Sequence, residues 1–224
     1  MKADLDLCYI SGADALAAFK AKTLSPVELL DAQIARTEAV NPKINAITYD
    51  YIDRARRQAR AAEITTQGSR AFADFRPDQS APTVERFLDA GAIMHLRTST
   101  SELAHSGVTN TPLWGTSRNP WNQDYSPGGS SGGSGAVIAA GMSVLADGTD
   151  GGGSIRLPAS ANGVIGYKPP WGRNPLDREH PGEVVLHYGP ITRTVADAAL
   201  MQNVMSGAHP ADLYSLREKV VLPT

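Results

Sequence analysis

Two glycine-rich runs, separated by a short apolar stretch, constrain this chain more than any other feature. Residues 127–135 read Pro-Gly-Gly-Ser-Ser-Gly-Gly-Ser-Gly, and residues 147–154 read Asp-Gly-Thr-Asp-Gly-Gly-Gly-Ser. A flexible Gly/Ser linker would account for the first run alone. The small apolar residues 136–140 follow it at once, however, which is typical of a tightly packed helix. We therefore interpret the first run as part of a folded core.

Two established serine–glycine motifs fit the first run poorly. A phosphate-binding P-loop needs a lysine directly after its second glycine, and Ser134 stands there. A nucleophile elbow, Gly-x-Ser-x-Gly, needs a buried strand before it, whereas residues 122–127 are polar and contain proline. The sequence therefore favours neither a nucleotide site nor an α/β-hydrolase elbow.

The second run has the composition of an oxyanion hole. Consecutive glycines let backbone N–H groups converge, because no Cβ obstructs positive φ values or the close approach of a substrate. A tetrahedral oxyanion requires such a nest, and Ser154 at the end of the run places a hydroxyl beside it. A tight turn without chemistry would explain one run. Two runs in this order favour a catalytic site.

Both runs and their flanks resemble the amidase-signature family of C–N hydrolases nearly letter for letter. The similarity covers residues 110–115, 118–121, 128–134, 148–160, 163–169 and 189–197. The resemblance implies an α/β/α sandwich with a mixed central sheet, incomplete in its C-terminal half. It indicates one partial domain over residues 1–224, with an N-terminal helical region (1–63) and a signature core (121–169).

The resemblance also implies a role for each matching residue. Ser154 would be the acylated nucleophile, and Ser130, on a cis peptide and hydrogen-bonded to Ser154, would relay its proton. The oxyanion hole would be formed by the N–H groups of Gly151, Gly152, Gly153 and Ser154. Asp150 and Arg156 would brace that loop, and Ser131 would support the network. Ala104 and Ser106 are weaker candidates for the acyl-binding site, with ordinary packing as an equal alternative.

The third catalytic group that the resemblance implies, a lysine on a buried strand, has no counterpart. It belongs between a helix ending near Glu63 and the segment beginning at Thr65, yet residues 13–67 contain no glycine and none of the six lysines precedes an acidic residue. Arg97 occupies a different lysine position, and a guanidinium does not give up its proton. We expect either a concealed chain break between Ala62 and Gly68, with a similar loss after Thr224, or a true deletion that removes the base.

Composition excludes several other classes of protein. A net charge of −2 gives no reason to expect nucleic acid or an anionic membrane as partner, and no apolar run approaches a membrane span. Cys8 is alone and the five histidines never fall at ligand spacing, so we expect neither a metal nor a cofactor. We expect a cytoplasmic protein with a small-molecule amide as its partner. Whether it forms a homodimer stays open.

Apolar periodicity predicts helices alternating with short buried strands, which favours an α/β sandwich. Ser25-Pro26-Val27-Glu28 is a capping box that opens a helix ending before Asn41-Pro42. The inner side of this helix is predicted to carry Val27, Leu29, Leu30, Ile34 and either Thr37 or Val40. Further helices are predicted at 51–63, 84–90, 136–140 and 194–206, strands at 92–94, 143–146 and 164–167, and an ordered loop at 110–127.

Three functions stay open at this point. The leading one is an amidase that forms a serine acyl-enzyme and releases ammonia or an amine from a linear carboxamide. The second is the glutaminase-like subunit of a tRNA-dependent amidotransferase, which nothing basic or partner-specific favours. The third is an impaired fragment or scaffold that keeps the oxyanion loop without the lysine. Ammonia release, or labelling of Ser154 with a fluorophosphonate, separates the enzyme from the scaffold.

Overall fold

The computed structural model describes residues 4–51, 65–177 and 184–224, which form a mixed α/β fold. The helices are α1 (Leu5–Cys8), α2 (Gly12–Ala21), α3 (Pro26–Ile44), α4 (Pro82–Asp89), α5 (Gly132–Ala139), α6 (Arg156–Asn162) and α7 (Val195–Met205). The strands are β1 (Ile47–Asp50), β2 (Leu96–Thr98), β3 (Asn110–Thr111), β4 (Gly115–Thr116), β5 (Leu145–Thr149), β6 (Ile165–Gly166) and β7 (Tyr188–Thr192). Short 3₁₀ turns occur at Arg70–Phe72 and Glu102–Ala104.

Two predictions at the N-terminal side concern residues outside these ranges. The helix predicted over 51–63 lies outside the described residues except for Tyr51, which is not helical. The predicted chain break begins in the same segment and is likewise not described. The region predicted as helical also contains β1, which pairs antiparallel with β2.

Helix α3 begins as predicted and ends later than predicted. The Ser25 hydroxyl accepts from the N–H of Glu28 at 3.1 Å, and the Glu28 carboxylate accepts from the N–H of Ser25 at 2.8 Å. The helix continues through Pro42 and ends at Ile44. Asn45 caps it in the left-handed conformation and donates its N–H to the carbonyl of Asn41.

The buried side of α3 also differs from the predicted one. Leu29, Leu30 and Thr37 are buried, whereas Val27 in the first turn is 59% exposed. The buried face follows Leu30, Gln33 and Thr37 at helical spacing, and Val27 lies outside it.

The first glycine run enters α5, in which every residue is buried. A Cβ on Gly135 would lie 2.7 Å from the side-chain nitrogen of Asn162, and one on Gly133 would collide with the backbone of Ser99. Close approach of neighbouring segments therefore requires glycine here, and the run is not a linker. The helix packs into the main apolar cluster, which comprises Ile44, Ala46, Ala136, Val137, Ile138, Ala140, Met142, Ile155 and Ile191.

The sheet nearest the second glycine run has the order β5–β7–β6, with both pairs antiparallel. Its β5 strand begins two residues later than predicted and runs on to Thr149, opposite Tyr188. β6 lies within the predicted range 164–167, and α7 within 194–206. This sheet therefore ends directly at Asp150 and the glycines that follow it.

Two other predicted segments are corrected by the structure. The strand predicted at 92–94 is not formed, because the N–H of Ala92 still bonds to Phe87 in the turn that closes α4, and the strand begins at Leu96. The loop predicted at 110–127 contains the β3–β4 hairpin. Within the three described ranges, none of the helices combines the length and the apolar character needed to cross a membrane.

Candidate active site

Ser154 is half-buried in the loop that joins the end of β5 to the start of α6. Gly153 before it has φ +126°, which side chains rarely adopt, and its carbonyl accepts from the N–H of Leu157 at 2.7 Å. The glycine next to Ser154 is therefore required by the backbone turn itself.

The Asp150 carboxylate organises this loop from within. Its side chain has no solvent exposure, and its oxygens accept from the backbone N–H groups of Gly153, Ile155 and Arg156 at 2.8–3.2 Å. The Arg156 guanidinium adds two charge-assisted hydrogen bonds, both at 2.9 Å. One buried carboxylate thereby fixes the backbone on both sides of Ser154.

Two opposing effects act on the pKa of Asp150. Burial raises the pKa, whereas the hydrogen bonds from Arg156, Ile155 and Gly153 lower it, and the net result is a pKa below the ordinary value. The carboxyl is therefore ionised at neutral pH and keeps its full capacity to accept hydrogen bonds.

Four backbone N–H groups were predicted as donors to an oxyanion, and the structure shows the present partner of one of them. The N–H of Gly153 donates to the Asp150 carboxylate at 2.8 Å. Within the described part of the chain, the N–H groups of Gly151, Gly152 and Ser154 have no acceptor. A Cβ on Gly152 would meet no atom within 4 Å, so the loop is open to a ligand at this glycine.

Ser130 lies in a second loop, and its peptide bond with Gly129 is cis. Its side chain is fully buried, and its carbonyl accepts from the N–H of Ser101 at 3.1 Å. The side-chain oxygen of Ser130 has no hydrogen-bond partner among the described residues. The predicted hydrogen bond between the hydroxyls of Ser130 and Ser154 is therefore not formed.

Ser131, rather than Ser130, connects the two loops. Its N–H donates to the carbonyl of Ser154 at 3.2 Å, and its hydroxyl oxygen accepts from the N–H of Thr149 at 3.3 Å. The contact between the two loops is therefore made by Ser131.

The structure places Ala104 and Ser106 on an exposed segment beside the Ser130 loop. Position 129 has room only for glycine, since a Cβ there would lie 2.6 Å from the carbonyl oxygen of Ser106. Ala104 adopts a left-handed conformation with φ +57°. The segment that carries both candidates therefore packs directly against the candidate site.

Several residues that position the site were not found from the sequence. The Thr109 hydroxyl donates to the carbonyl of Gly128 at 2.8 Å, and the Asn162 amide donates to the carbonyl of Pro127 at 2.7 Å. The carbonyl of His187 accepts from the N–H of Asp150 at 2.8 Å. Each residue acts across a long sequence separation and stands in no local motif, so no pattern in the sequence indicates it.

No described lysine, histidine or carboxylate forms a hydrogen bond with the hydroxyl of Ser154 or Ser130. The nearby His187 is buried, with its Nδ1 2.7 Å from the carbonyl oxygen of Val185. The Arg97 guanidinium donates to the Thr65 hydroxyl at 3.0 Å. Across residues 4–51, 65–177 and 184–224, the candidate site thus has a serine hydroxyl and unpaired backbone N–H groups without a basic side chain bonded to the serine.

Comparison with known proteins connects this geometry to a family. The profile of the family described as Amidase matches residues 63–222. The chain is 37% identical to a 6-aminohexanoate-cyclic-dimer hydrolase of Paenarthrobacter ureafaciens over 217 positions, covering 85% of this chain and 44% of that protein. It is 35% identical to an acylamidase of Rhodococcus erythropolis, covering 94% of this chain and 50% of that protein.

Solved structures give the same result for the fold. A bacterial aryl acylamidase of the amidase-signature enzymes superposes with a TM-score of 0.89 at 32% identity, over 95% of this chain and 51% of that one. The 6-aminohexanoate cyclic dimer hydrolase in complex with its substrate gives 0.87 at 34% identity, over 94% and 49%. The chain spans about half the length of the relatives that it matches.

Proposed function

Because this chain belongs to the amidase family, we propose that it is the nucleophile-bearing part of an amide hydrolase that is acylated at Ser154. The observation that carries the proposal is the loop built on Asp150, which presents the Ser154 hydroxyl beside unpaired backbone N–H groups. Relatives named acylamidase and cyclic-dimer hydrolase support amide bonds as the substrate class.

The proposed reaction has two steps. The Ser154 Oγ attacks the amide carbon, and the oxyanion accepts hydrogen bonds from the N–H groups of Gly151, Gly152 and Ser154. The C–N bond then breaks, and the amine leaves with the proton that the serine lost. Water attacks the resulting ester, returns a proton to Ser154 and releases the carboxylic acid.

The base for the first step is proposed to lie on an internal segment that this sequence lacks. The alignment with the Rhodococcus acylamidase runs over 247 positions, more than the 224 residues of this chain, so part of the relative's aligned region has no counterpart. The family profile begins to match at residue 63, where the sequence predicts the gap. A serine hydroxyl is a weak nucleophile without a base, so turnover by this chain should depend on hydroxide.

We further propose a cytoplasmic location. The single cysteine, Cys8, is a buried free thiol whose Sγ lies 3.4 Å from the carbonyl oxygen of Ala32. A buried cysteine that forms no disulfide is consistent with a reducing compartment such as the cytoplasm.

Hydrolysis of a p-nitroanilide as a function of pH tests the proposal. We expect slow release of p-nitroaniline that rises with pH without a plateau between about pH 7 and pH 10, and a loss of at least about a hundredfold in the Ser154→Ala variant. A matched control is Ser80→Ala, which removes an exposed hydroxyl and should keep the wild-type rate. Unchanged activity in Ser154→Ala would contradict the assignment of Ser154 as the nucleophile. A plateau in the rate near neutral pH would contradict the absence of a general base, but not the assignment of Ser154.

A further inference from the structure

His187 is a buried histidine that the proposed reaction does not use. It stands directly before β7 and is 7% exposed. Its Nδ1 lies 2.7 Å from the carbonyl oxygen of Val185 and 3.3 Å from the carbonyl oxygen of Asp150. Because a carbonyl oxygen can only accept, Nδ1 carries the ring proton and shares it between the two oxygens. The two contacts therefore select the tautomer of His187 that is protonated at Nδ1.

Asp150 is bonded to His187 through both of its backbone groups. Its N–H donates to the carbonyl of His187 at 2.8 Å, and its carbonyl accepts from the His187 ring. Asp150 is fully buried, and no second donor reaches its carbonyl within residues 4–51, 65–177 and 184–224. Buried backbone carbonyls are nearly always paired, so loss of the ring N–H would leave this one unsatisfied. His187 thus holds the backbone immediately before the glycines of the Ser154 loop.

The peptide bond between Asp150 and Gly151 sets the direction of the Gly151 N–H. In this planar trans peptide, the carbonyl and the N–H point to opposite sides. Since the carbonyl is directed at the His187 ring, the Gly151 N–H is directed away from it, and it has no acceptor among the described residues. That N–H is one of the proposed oxyanion donors. Its direction therefore depends on what holds the Asp150 carbonyl.

Glycine at position 151 makes this peptide easy to reverse. Gly151 has no Cβ and tolerates either sign of φ, and a Cβ there would lie 3.8 Å from the carbonyl oxygen of Val185, which is an ordinary contact. A reversed peptide would present the Asp150 carbonyl oxygen on the side where the N–H now lies, and a carbonyl oxygen repels an oxyanion. The hydrogen bond from His187 opposes the reversal, because turning the carbonyl breaks it.

From these contacts we infer that His187 is a positioning residue for the oxyanion hole. Its Nδ1–H holds the Asp150–Gly151 peptide in the orientation that leaves the Gly151 N–H available to the oxyanion. The inference rests on the proposed function, and it gives His187 neither a contact with the substrate nor a proton transfer. Protonation of Nε2 leaves the Nδ1 proton in place, so the hydrogen bond forms in both charge states of the ring.

Acylation of Ser154 by p-nitrophenyl acetate, followed through release of p-nitrophenolate, tests this role. His187→Phe keeps a ring but removes the donor. We expect its maximal rate of acylation to fall at least about tenfold, while the half-saturating concentration changes less than about twofold. His187→Asn restores an N–H near the position of Nδ1, and its rate should stay within about threefold of the wild type. The ratio of the wild-type rate to the His187→Phe rate should be the same at about pH 6 and about pH 8.

His95→Phe is the matched control for the loss of a buried imidazole. His95 also bonds a backbone carbonyl, that of Met142 at 3.3 Å, and it lies outside the loops of the site. The control variant should unfold at a lower urea concentration and leave the acylation rate unchanged.

The tautomer of His187 can be measured without any reaction. In long-range proton–nitrogen NMR spectra of the wild type at about pH 8, we expect a proton on Nδ1 and none on Nε2. A His187 protonated at Nε2 alone would overturn the inference, because such a ring cannot donate to the Asp150 carbonyl.

Three kinetic results would also overturn the inference. The first is a rate for His187→Phe within about twofold of the wild type. The second is an equal loss in His95→Phe, which would reflect destabilisation alone. The third is a ratio that rises with pH, which would make His187 a base. If the wild type is not acylated while NMR finds the proton on Nδ1, the proposed function fails and the hydrogen bond to Asp150 stands.

Discussion

The loops that carry Ser154 and Ser130 meet through Ser131, but they differ in how far their buried polar groups are hydrogen-bonded. In the Ser154 loop, the buried carboxylate of Asp150 accepts five hydrogen bonds. In the Ser130 loop, the fully buried hydroxyl of Ser130 has no partner within residues 4–51, 65–177 and 184–224. Buried polar groups are nearly always hydrogen-bonded, so the second loop is the exception.

This contrast separates the two parts of the proposed chemistry. In the Ser154 loop, the buried carboxylate is fully hydrogen-bonded, and the N–H groups proposed as oxyanion donors are without an acceptor among the described residues. The side that would receive the proton depends on a group that the described residues do not provide. The proposed oxyanion donors are therefore among the described residues, whereas the proposed base is not.

Of the substitutions that compare the two loops, removing the charge of Asp150 should change the free energy of unfolding most. Asp150→Asn leaves Arg156 and three backbone N–H groups without their carboxylate. Because an asparagine side chain has one acceptor oxygen and no charge, several of the five hydrogen bonds are lost, and we expect the free energy of unfolding to fall by about 2–4 kcal/mol. Urea unfolding followed by circular dichroism measures this. A loss below about 0.5 kcal/mol would show that the loop does not depend on the carboxylate.

Acid should affect Asp150 and its neighbour Asp147 in opposite directions. The pKa of Asp150 is lowered in the folded state, so its contribution to stability is present above the unfolded pKa of about 3.9 and is lost as pH falls through the folded pKa. The pKa of Asp147 is raised, because burial outweighs a backbone hydrogen bond and the attraction of Arg97, which both lower it. Ionising Asp147 therefore costs stability as pH rises above the unfolded pKa.

Unfolding measured between pH 7 and pH 3 in two variants checks these signs. Asp150→Asn should lose less stability on acidification than the wild type, because the group that protonates is gone. Asp147→Asn, three residues away on β5, should be as stable as the wild type or more stable at pH 7. Parallel pH curves for both variants would contradict the opposite shifts.

Removing the hydroxyl of Ser130 should have the smallest effect. A buried hydroxyl without a partner costs free energy, so Ser130→Ala is expected to be neutral or to stabilise the chain by up to about 1 kcal/mol. Ser131→Ala is the matched comparison and should destabilise, because the Ser131 hydroxyl accepts from Thr149. Greater damage from Ser130→Ala would mean that its hydroxyl has a partner outside the described residues.

The parts of the site that the sequence predicts are the local ones. Asp150, Ser154 and Arg156 lie within seven consecutive residues, so the motif alone indicates that they form one loop. The cis peptide at Ser130 was likewise predicted through the resemblance. The engagement of the Gly153 N–H by Asp150 was not, because glycine spacing does not show where each N–H points.

The remaining contacts depend on long-range packing. Thr109 and Asn162 reach the Ser130 loop across 19 and 35 residues, and neither stands in a pattern that would distinguish it from other polar residues. The same limit applies to α3, which continues past Pro42 to a cap at Asn45, whose side-chain amide donates to the carbonyl of Trp114, 69 residues away. Hydrophobic periodicity and capping motifs predict that a helix is present more accurately than they predict the residue at which it ends.

Acylation by p-nitrophenyl acetate tests the central claim most directly. Its leaving group departs without protonation, so the experiment asks for the nucleophile and the oxyanion donors and makes little demand on a base. Intact-mass and peptide mass spectrometry of the wild type should show one acetyl group, on Ser154, and none in Ser154→Ala. Acetylation that persists in Ser154→Ala, or that maps to another residue of the wild type, would contradict the assignment of Ser154 as the nucleophile.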